Sequence, residues 1–422
     1  VTYPHAESGY GGSTKAWHNA LMEIDSPVFE KKWPFGKEVL APYYTRAYEL
    51  LSGATRADVC QAAKSLKDQL GKLGIPLPLL TQNMFIPHKR INAWNSVQLH
   101  KKVRVIEGEV TALIPDSQGA IEAVQIRSSE ADEIKIFADY FVLAAGGLGS
   151  PVILQKLYES LPLSNLQNSG FNYEDHPMAV VGEIEIDRPL YKLWDYRVKT
   201  SRGVGNIRLP FSIYSNGLNV SFQIRPAHHV RNSKPKEKVL NLISDLRNFP
   251  FKIKNYWRLM MQGDIILQIL SFKFGLRLPT KKYAILMIAE QPPSNYRAVW
   301  ADSESCNIHR KWELDEAYIS DLNKAIRDFL KKLEPITTSL DLYDDWTKNA
   351  YSSSHHSGTA RISHSASEGV CDKNCQVFGI PNLFVCDGSS IPGSGFVNTG
   401  LTIVALALRL SDFLSKKASD SA

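Results

Sequence analysis

Two stretches near the start of the chain carry apolar residues at helical spacing. "GKEVLAPYYTRAYELLS" (36–52) is one, and "TRADVCQAAKSLKDQLGKLGI" (55–75) is the other, with Thr55 and Asp58 as a start signal and Gly74 as a stop. The pattern then changes to alternation. "KVRVIEGEVTALIPDSQGAIEAVQIRS" (102–128) predicts a strand pair joined at Asp116-Ser117-Gln118-Gly119, and "YFVLAA" (140–145) predicts a short buried strand. "GGLGSPVILQKLYES" (146–160) turns out of that strand into a helix. The end of the chain repeats this style with the strand "NLFVCDGS", the loop "IPGSGFVNTG" and the closing helix "LTIVALALRLSDFLSKK". Alternating strands and helices predict a mixed α/β protein.

Residues 178–346 read differently, with longer irregular stretches and one clear helix, "LDEAYISDLNKAIRDFLKKLEP". The shift at both ends predicts a second domain inserted between two parts of a first: 1–177, 178–346 and 347–422. That organisation requires the first and last parts of the chain to fold together.

Charge sharpens the picture of the insertion. From Arg225 to Lys282 thirteen Lys and Arg face three acids, a net +10 within a chain of net +6. There, "FPFKIKNYWRLMMQGDIILQILSFKFGL" mixes aromatic and aliphatic residues with cations, as an amphipathic helix at a membrane surface does, or a cap helix with a solvated basic rim. No nucleic-acid motif accompanies the charge. Composition, at 44% hydrophobic and 22% charged, is that of an ordinary globular chain. No apolar run reaches the roughly 18 residues of a spanning helix. Five cysteines without paired CxxC spacing indicate neither a disulfide framework nor a metal site, and a reducing, cytoplasmic location, peripheral at a membrane if the basic block binds one, is the expectation.

Seven motifs then fall in one order: "YGGSTKAW", "WPFGKEVLAPYY", "FVLAAGGLGSPVIL", "SGFNYEDHPM", "IAEQPPSNYRAVW", "HHSGTARIS" and "GIPNLFVCDGSSIPGSGFVNTGLTIVALALRLSDFL". Together they resemble the glucose-methanol-choline (GMC) family of FAD-dependent oxidoreductases. The resemblance implies a Rossmann-like FAD-binding domain and an inserted substrate-binding domain built on an antiparallel sheet with helices. It implies FAD as cofactor, with contacts at Gly11, Gly12, Ser13, Val110, Ala145, Gly146, Asp387, Gly388, Asn398 and Thr399. It also implies that His355, from the family pattern His-x-x-Gly-Thr, is the base that takes an alcohol proton while hydride passes to flavin N5. The second family position falls on Asn398, which holds the substrate oxygen.

The residues carry physical sense of their own. Glycines after a strand let backbone approach a cofactor closely. Asp387, just past a buried strand, is placed to accept hydrogen bonds from cofactor hydroxyls. The unpaired N–H groups opening "NTGLTIVALAL" favour partial negative charge. His356 is expected to point away from the site. Asp175-His176-Pro177 is expected to be a structural turn, because proline fixes the backbone there. Lys15 and His18 are expected near the flavin without a covalent link to it.

One family element has no counterpart in these residues. The Gly-x-Gly-x-x-Gly unit that holds the FAD pyrophosphate is absent, and the expectation is that a βαβ unit stands upstream in the native protein. The sequence therefore predicts an oxidoreductase acting on the CH–OH group of a sugar, polyol or other alcohol, a dehydrogenase before an oxidase. The electron acceptor is not specified by any motif. A lipid-linked or anionic substrate at a membrane is an alternative, as is a cofactor-less relative acting as a binding protein.

Overall fold

The computed structural model describes the chain except residues 1–11, 16, 90–102, 129–131, 191–195, 228–229, 231–232, 250, 274–277, 293–297, 303–306 and 422. Two hydrophobic cores organise it. The first gathers side chains from both parts of the chain that flank the insertion: Tyr44, Tyr48, Phe85 and Leu154 pack with Phe384, Val385, Leu401 and Leu406. Its helices begin where the sequence marks them. Thr55 caps helix Arg56–Lys72 in a capping box with Asp58, and Gly53 ends helix Ala41–Ser52 in the left-handed region. The closing helix, Gly400–Ser421, lies against Ala41–Ser52, with Tyr44 and Thr402 hydrogen-bonded at 3.0 Å.

Strand Phe141–Leu143 pairs in parallel with Leu383–Val385, bringing residues some 240 positions apart side by side. Both strands end at glycines, one before helix Gly146–Ser160 and the other before the turn Gly388–Ser390. A three-stranded antiparallel sheet stands beside them. It contains the expected pair, Glu109–Pro115 with Ile121–Arg127, and a third strand, Glu133–Phe137, that sequence patterning did not reveal. The sequence "EIKIF" is almost wholly exposed, so its alternation carries no burial signal.

The second core is built mostly from residues 179–346, joined by Ile75, Leu79 and Leu80 from earlier in the chain, and here order replaces the irregularity read from the sequence. Strands Thr337–Leu342, Pro177–Ile186, Lys282–Ala289, Leu218–Pro226 and Phe211–Ser215 form one antiparallel sheet, with Tyr351–Ser352 added beside Pro177–Ile186. The central strands are buried on both faces and therefore read as continuous apolar runs without alternation. Helix Glu316–Leu333 covers one face, with Phe329 stacked on Phe222 at 4.1 Å. The single amphipathic helix expected over 249–276 is instead two short helices, Ile253–Met260 and Gly263–Lys273, separated at Met261 and Gln262. Among the described residues no helix is long and apolar enough to cross a membrane.

Candidate active site

The two cores meet where strand Pro177–Ile186 begins. Residues 171–176 lead into it, residues 352–359 run antiparallel beside them through the Glu174–Ser357 bridge, and the loop 391–399 reaches both through Ser394 and Asn398. Glycine is required at this junction. Gly358 has φ +86°, and a Cβ there would stand 2.3 Å from the Asn172 carbonyl oxygen. Gly147 and Gly388 clasp the His356 carbonyl from two sides, at 2.5 and 2.4 Å from where their Cβ atoms would be. These glycines thus make room for the chain's own histidine loop.

His355 and Asn398 come together across 43 residues, with Asn398 Nδ2 2.8 Å from His355 Nε2. The other ring nitrogen faces the protein: His355 Nδ1 lies 3.0 Å from Ser353 Oγ and 2.9 Å from His176 Nδ1. His176 Nε2 in turn lies 2.9 Å from Ser394 Oγ. With the Asn398 amide donating to Nε2, one tautomer satisfies every contact. His355 carries its proton on Nδ1, shared by Ser353 Oγ and His176 Nδ1, and His176 carries its own on Nε2. The Nε2 lone pair of His355 is then directed at Asn398.

Asp175 underlies this pair. Its carboxylate is fully buried and accepts from the His176 backbone N–H at 2.7 Å, the His355 backbone N–H at 3.0 Å, Ser353 Oγ at 3.1 Å and Ser352 Oγ. Arg310 stands 3.8 Å away, and His356, stacked on Tyr173 with Nδ1 2.6 Å from the phenol oxygen, is 3.7 Å away. Burial alone would raise the Asp175 pKa, but His356, the Ser352 hydroxyl, His355 and His176 outweigh it and hold the carboxyl below its usual range. His355 is pushed down to about 4, chiefly by burial, against the pull of Asp175, and His176 to about 3 for the same first reason with His355 adding to it. Both imidazoles are therefore neutral at neutral pH. His356 turns its Nδ1 to the Tyr173 hydroxyl. Asp175-His176-Pro177 is not merely a turn: two of its three side chains orient the histidine pair.

A second buried group escaped the sequence reading altogether. Lys32 sits 2.7 Å from Glu290 and 3.6 Å from Glu174, and these carboxylates hold its ammonium charged although burial opposes it. Its side chain packs on Gly393, while Trp33 Nε1 donates to the Gly393 carbonyl at 2.9 Å. The loop that carries Ser394 and Asn398 is thereby tied to helix Ser26–Lys32. Gln291 accepts from the Trp312 indole at 2.7 Å, joining the "AEQ" motif to Trp312, two residues past Arg310. The signal was present as "EQPP" beside a strand, but nothing in the pattern marked Lys32 as its partner.

The remaining predicted residues divide. Ala145, Gly146, Asp387 and Gly388 converge, with the Gly146 N–H donating to Asp387 at 2.8 Å. Ser150 Oγ and the Ser389 N–H and hydroxyl also donate to Asp387, and burial raises its pKa. Thr399 precedes helix Gly400–Ser421, and Gly400 packs on Trp17, whose N–H donates to Ser13 in the turn Gly12–Lys15. That chain of contacts brings Gly12 and Ser13 toward Asn398. Val110 sits half-buried opposite Ile126 on a strand packed against helix Gly146–Ser160. Gly11 lies outside the described residues.

The ring end of FAD fits what is present. A neutral imidazole, an amide and the first turn of a 22-residue helix, whose N–H groups lack intrahelical partners, stand together. Gly146 has φ +80° and nothing within 4 Å of where a Cβ would be, leaving open space at a helix start.

This fold recurs in flavoenzymes. Pyridoxine 4-oxidase from Mesorbium loti superposes with a TM-score of 0.58 at 13% identity, covering 95% of this chain and 82% of that one. A formate oxidase from Aspergillus oryzae RIB40, in a structure concerned with FAD modification, gives 0.55 at 16% identity, covering 97% and 84%. Sequence narrows the class: residues 306–407 match the family described as GMC oxidoreductase. Residues 306–407 are thus similar to the GMC oxidoreductases, and the fold of the chain is like that of the two oxidases. A 2-methyl-1,2-propanediol dehydrogenase of Mycolicibacterium austroafricanum is 35% identical over 153 residues, 36% of this chain and 26% of that protein. The long-chain-alcohol oxidase FAO3 of Arabidopsis thaliana is 32% identical over 92 residues, 22% of this chain and 12% of that protein. The chain thus spans about a quarter or less of the length of the curated relatives it matches.

Proposed function

We propose that this chain forms the catalytic side of an FAD-dependent oxidoreductase that oxidises a CH–OH group. The observation that carries the reading is the pairing of a neutral His355 with Asn398 at the start of helix Gly400–Ser421. FAD, when bound, supplies the hydride acceptor. His355 takes the hydroxyl proton on Nε2, the nitrogen left unprotonated in the Nδ1 tautomer, and Asn398 fixes the substrate oxygen through its amide. The imidazolium so formed is stabilised through Ser353 by the Asp175 carboxylate, while His176 and Ser394 hold the ring in place. Asp175 therefore orients the base and balances its charge, as a buried carboxylate does behind a catalytic histidine elsewhere.

Two substrate classes follow from the relatives: a small branched diol and a long-chain alcohol. The longest match is to a dehydrogenase, which supports an acceptor other than oxygen. Absorption spectroscopy of the flavin-loaded protein tests the reading. Bands that bleach anaerobically with 2-methyl-1,2-propanediol or a long-chain alcohol, and do not bleach in His355→Gln, support it. Bleaching that persists at the parent rate in the variant overturns the role of His355, and absence of flavin from both this chain and a version extended upstream to its native start overturns the cofactor.

A further inference from the structure

We propose that the helical excursion between Ser233 and Lys273 docks on the surface of an anionic phospholipid bilayer. Strands Leu218–Pro226 and Lys282–Ala289 are hydrogen-bonded neighbours with Pro226 opposite Tyr283, a hairpin that a short turn would close. The chain instead carries helices Lys234–Asn248, Ile253–Met260 and Gly263–Lys273, the last two packed on the first. The excursion is rooted firmly. Ser233 Oγ donates to the Ala227 carbonyl at 2.6 Å, and Lys234 donates its N–H to the Tyr343 hydroxyl at 3.1 Å, its ammonium 3.9 Å over that ring. Val239, Leu242 and Ile265 are buried within it.

Its outer face is apolar and uncovered. Phe249, Phe251, Ile253, Trp257, Met260 and Met261 are all exposed, Phe251 to 94% and Met261 to 76%. Arg247, Lys252, Lys254 and Arg258 are interleaved with them, and no acidic residue occurs between Asp245 and Asp264. Contiguous exposed aromatics mark an interaction surface, since water gains nothing from contact with them. Lysine is depleted from the centres of protein interfaces, whereas aromatic rings and cations at one level match the boundary between acyl chains and acidic headgroups. Stable attachment to a bilayer needs two signals, and this segment supplies both.

The sheet register adds where the surface stands. Tyr283 lies opposite Ile184, seven residues along the strand from Pro177 and its neighbour His176, which is about 20–25 Å at strand rise. The excursion leaves the sheet at the end away from His355. This inference stands independently of the redox reading.

Flotation of the chain with vesicles of phosphatidylcholine alone, and with about 30% phosphatidylserine, tests it without any flavin readout. Binding is expected only with phosphatidylserine, and raising salt from about 0.1 to 0.5 M should release the protein. Lys252, Lys254 and Arg258 replaced together by Gln should weaken binding by about 10²-fold, and Phe251→Ser with Trp257→Ser by about tenfold or more. These side chains are exposed, so unchanged circular dichroism separates lost binding from lost fold. Absence of binding to either vesicle overturns the proposal, as does equal binding to both that ignores the charge substitutions. A dimer that W257S converts to monomer, with no vesicle binding, assigns the face to a second copy instead.

Discussion

Replacing Asp175 by asparagine keeps the side chain's shape and removes one negative charge beneath His355. A single hydroxyl bridges the two groups, His355 Nδ1 to Ser353 Oγ at 3.0 Å and Ser353 Oγ to Asp175 at 3.1 Å. At a tetrahedral angle those contacts set ring and carboxylate about 5 Å apart, worth about 3 kcal/mol to an imidazolium at an effective dielectric near 20. In the proposed reaction that charge develops only as His355 takes the proton, so kcat/KM should fall by about 10²-fold. A second readout separates electrostatics from damage. Asp175 draws the His355 pKa upward against burial, so removing it pulls the imidazole below its value of about 4, and the acid limb of the pH–rate profile moves to lower pH. A purely structural injury lowers the active fraction and leaves the limb in place. Anaerobic flavin reduction followed by stopped flow gives both quantities. Turnover within about threefold of the parent, or a fallen rate with an unmoved acid limb, refutes this account of Asp175.

Three further outcomes follow from the same geometry. His355→Gln should cost about 10²- to 10⁴-fold in kcat, and adding Asn398→Ala should cost less than it does alone, because the two act on one oxygen; steady-state kinetics of the single and double variants decides. Buried neutral histidines oppose acid: the unfolded chain takes up protons below about pH 6.5 while folded His355 resists until about 4, so stability present above 6.5 is lost as pH falls toward 4. The loss is roughly 3 kcal/mol for His355 alone, with His176 acting in the same direction, and urea midpoints at pH 7 and 4.5 measure it. Gly358→Ala places a methyl 2.3 Å from the Asn172 carbonyl at positive φ and should destabilise by roughly 2–4 kcal/mol, read as a lower urea midpoint at unchanged slope.

Much of this fold was legible because its local signals agree with its tertiary contacts. The capping box at Thr55, the stop at Gly74, the turn at Asp116–Gly119 and the apolar closing helix all lie where the pattern sets them. The Glu133–Phe137 strand was not legible, since an exposed edge imposes no apolar alternation. The six-stranded sheet was equally opaque to periodicity, for the opposite reason: strands buried on both faces have no polar beat.

The candidate site shows where motif reading stops. His355 and Asn398 were found because a fixed short spacing, Gly358 three residues on, survives in the chain as text. The proline after Asp175 and His176 accounts for a turn by itself. Proline sets the backbone of residue 177 and biases the one before it, yet it says nothing of where a carboxylate two residues earlier directs its lone pairs. Those are decided by donors from 352–355, brought alongside only by the antiparallel bridge at Glu174 and Ser357. Asp387 shows a related case. A carboxylate after a strand in this fold suggests a cofactor ligand, and within the chain Gly146, Ser150 and Ser389 supply four donors to it. These bonds lock two strand ends at the depth where Gly147 and Gly388 clasp the His356 carbonyl. His355 is thus aimed by a scaffold of small residues and buried acceptors, whose types are common and whose joint placement exists only in three dimensions.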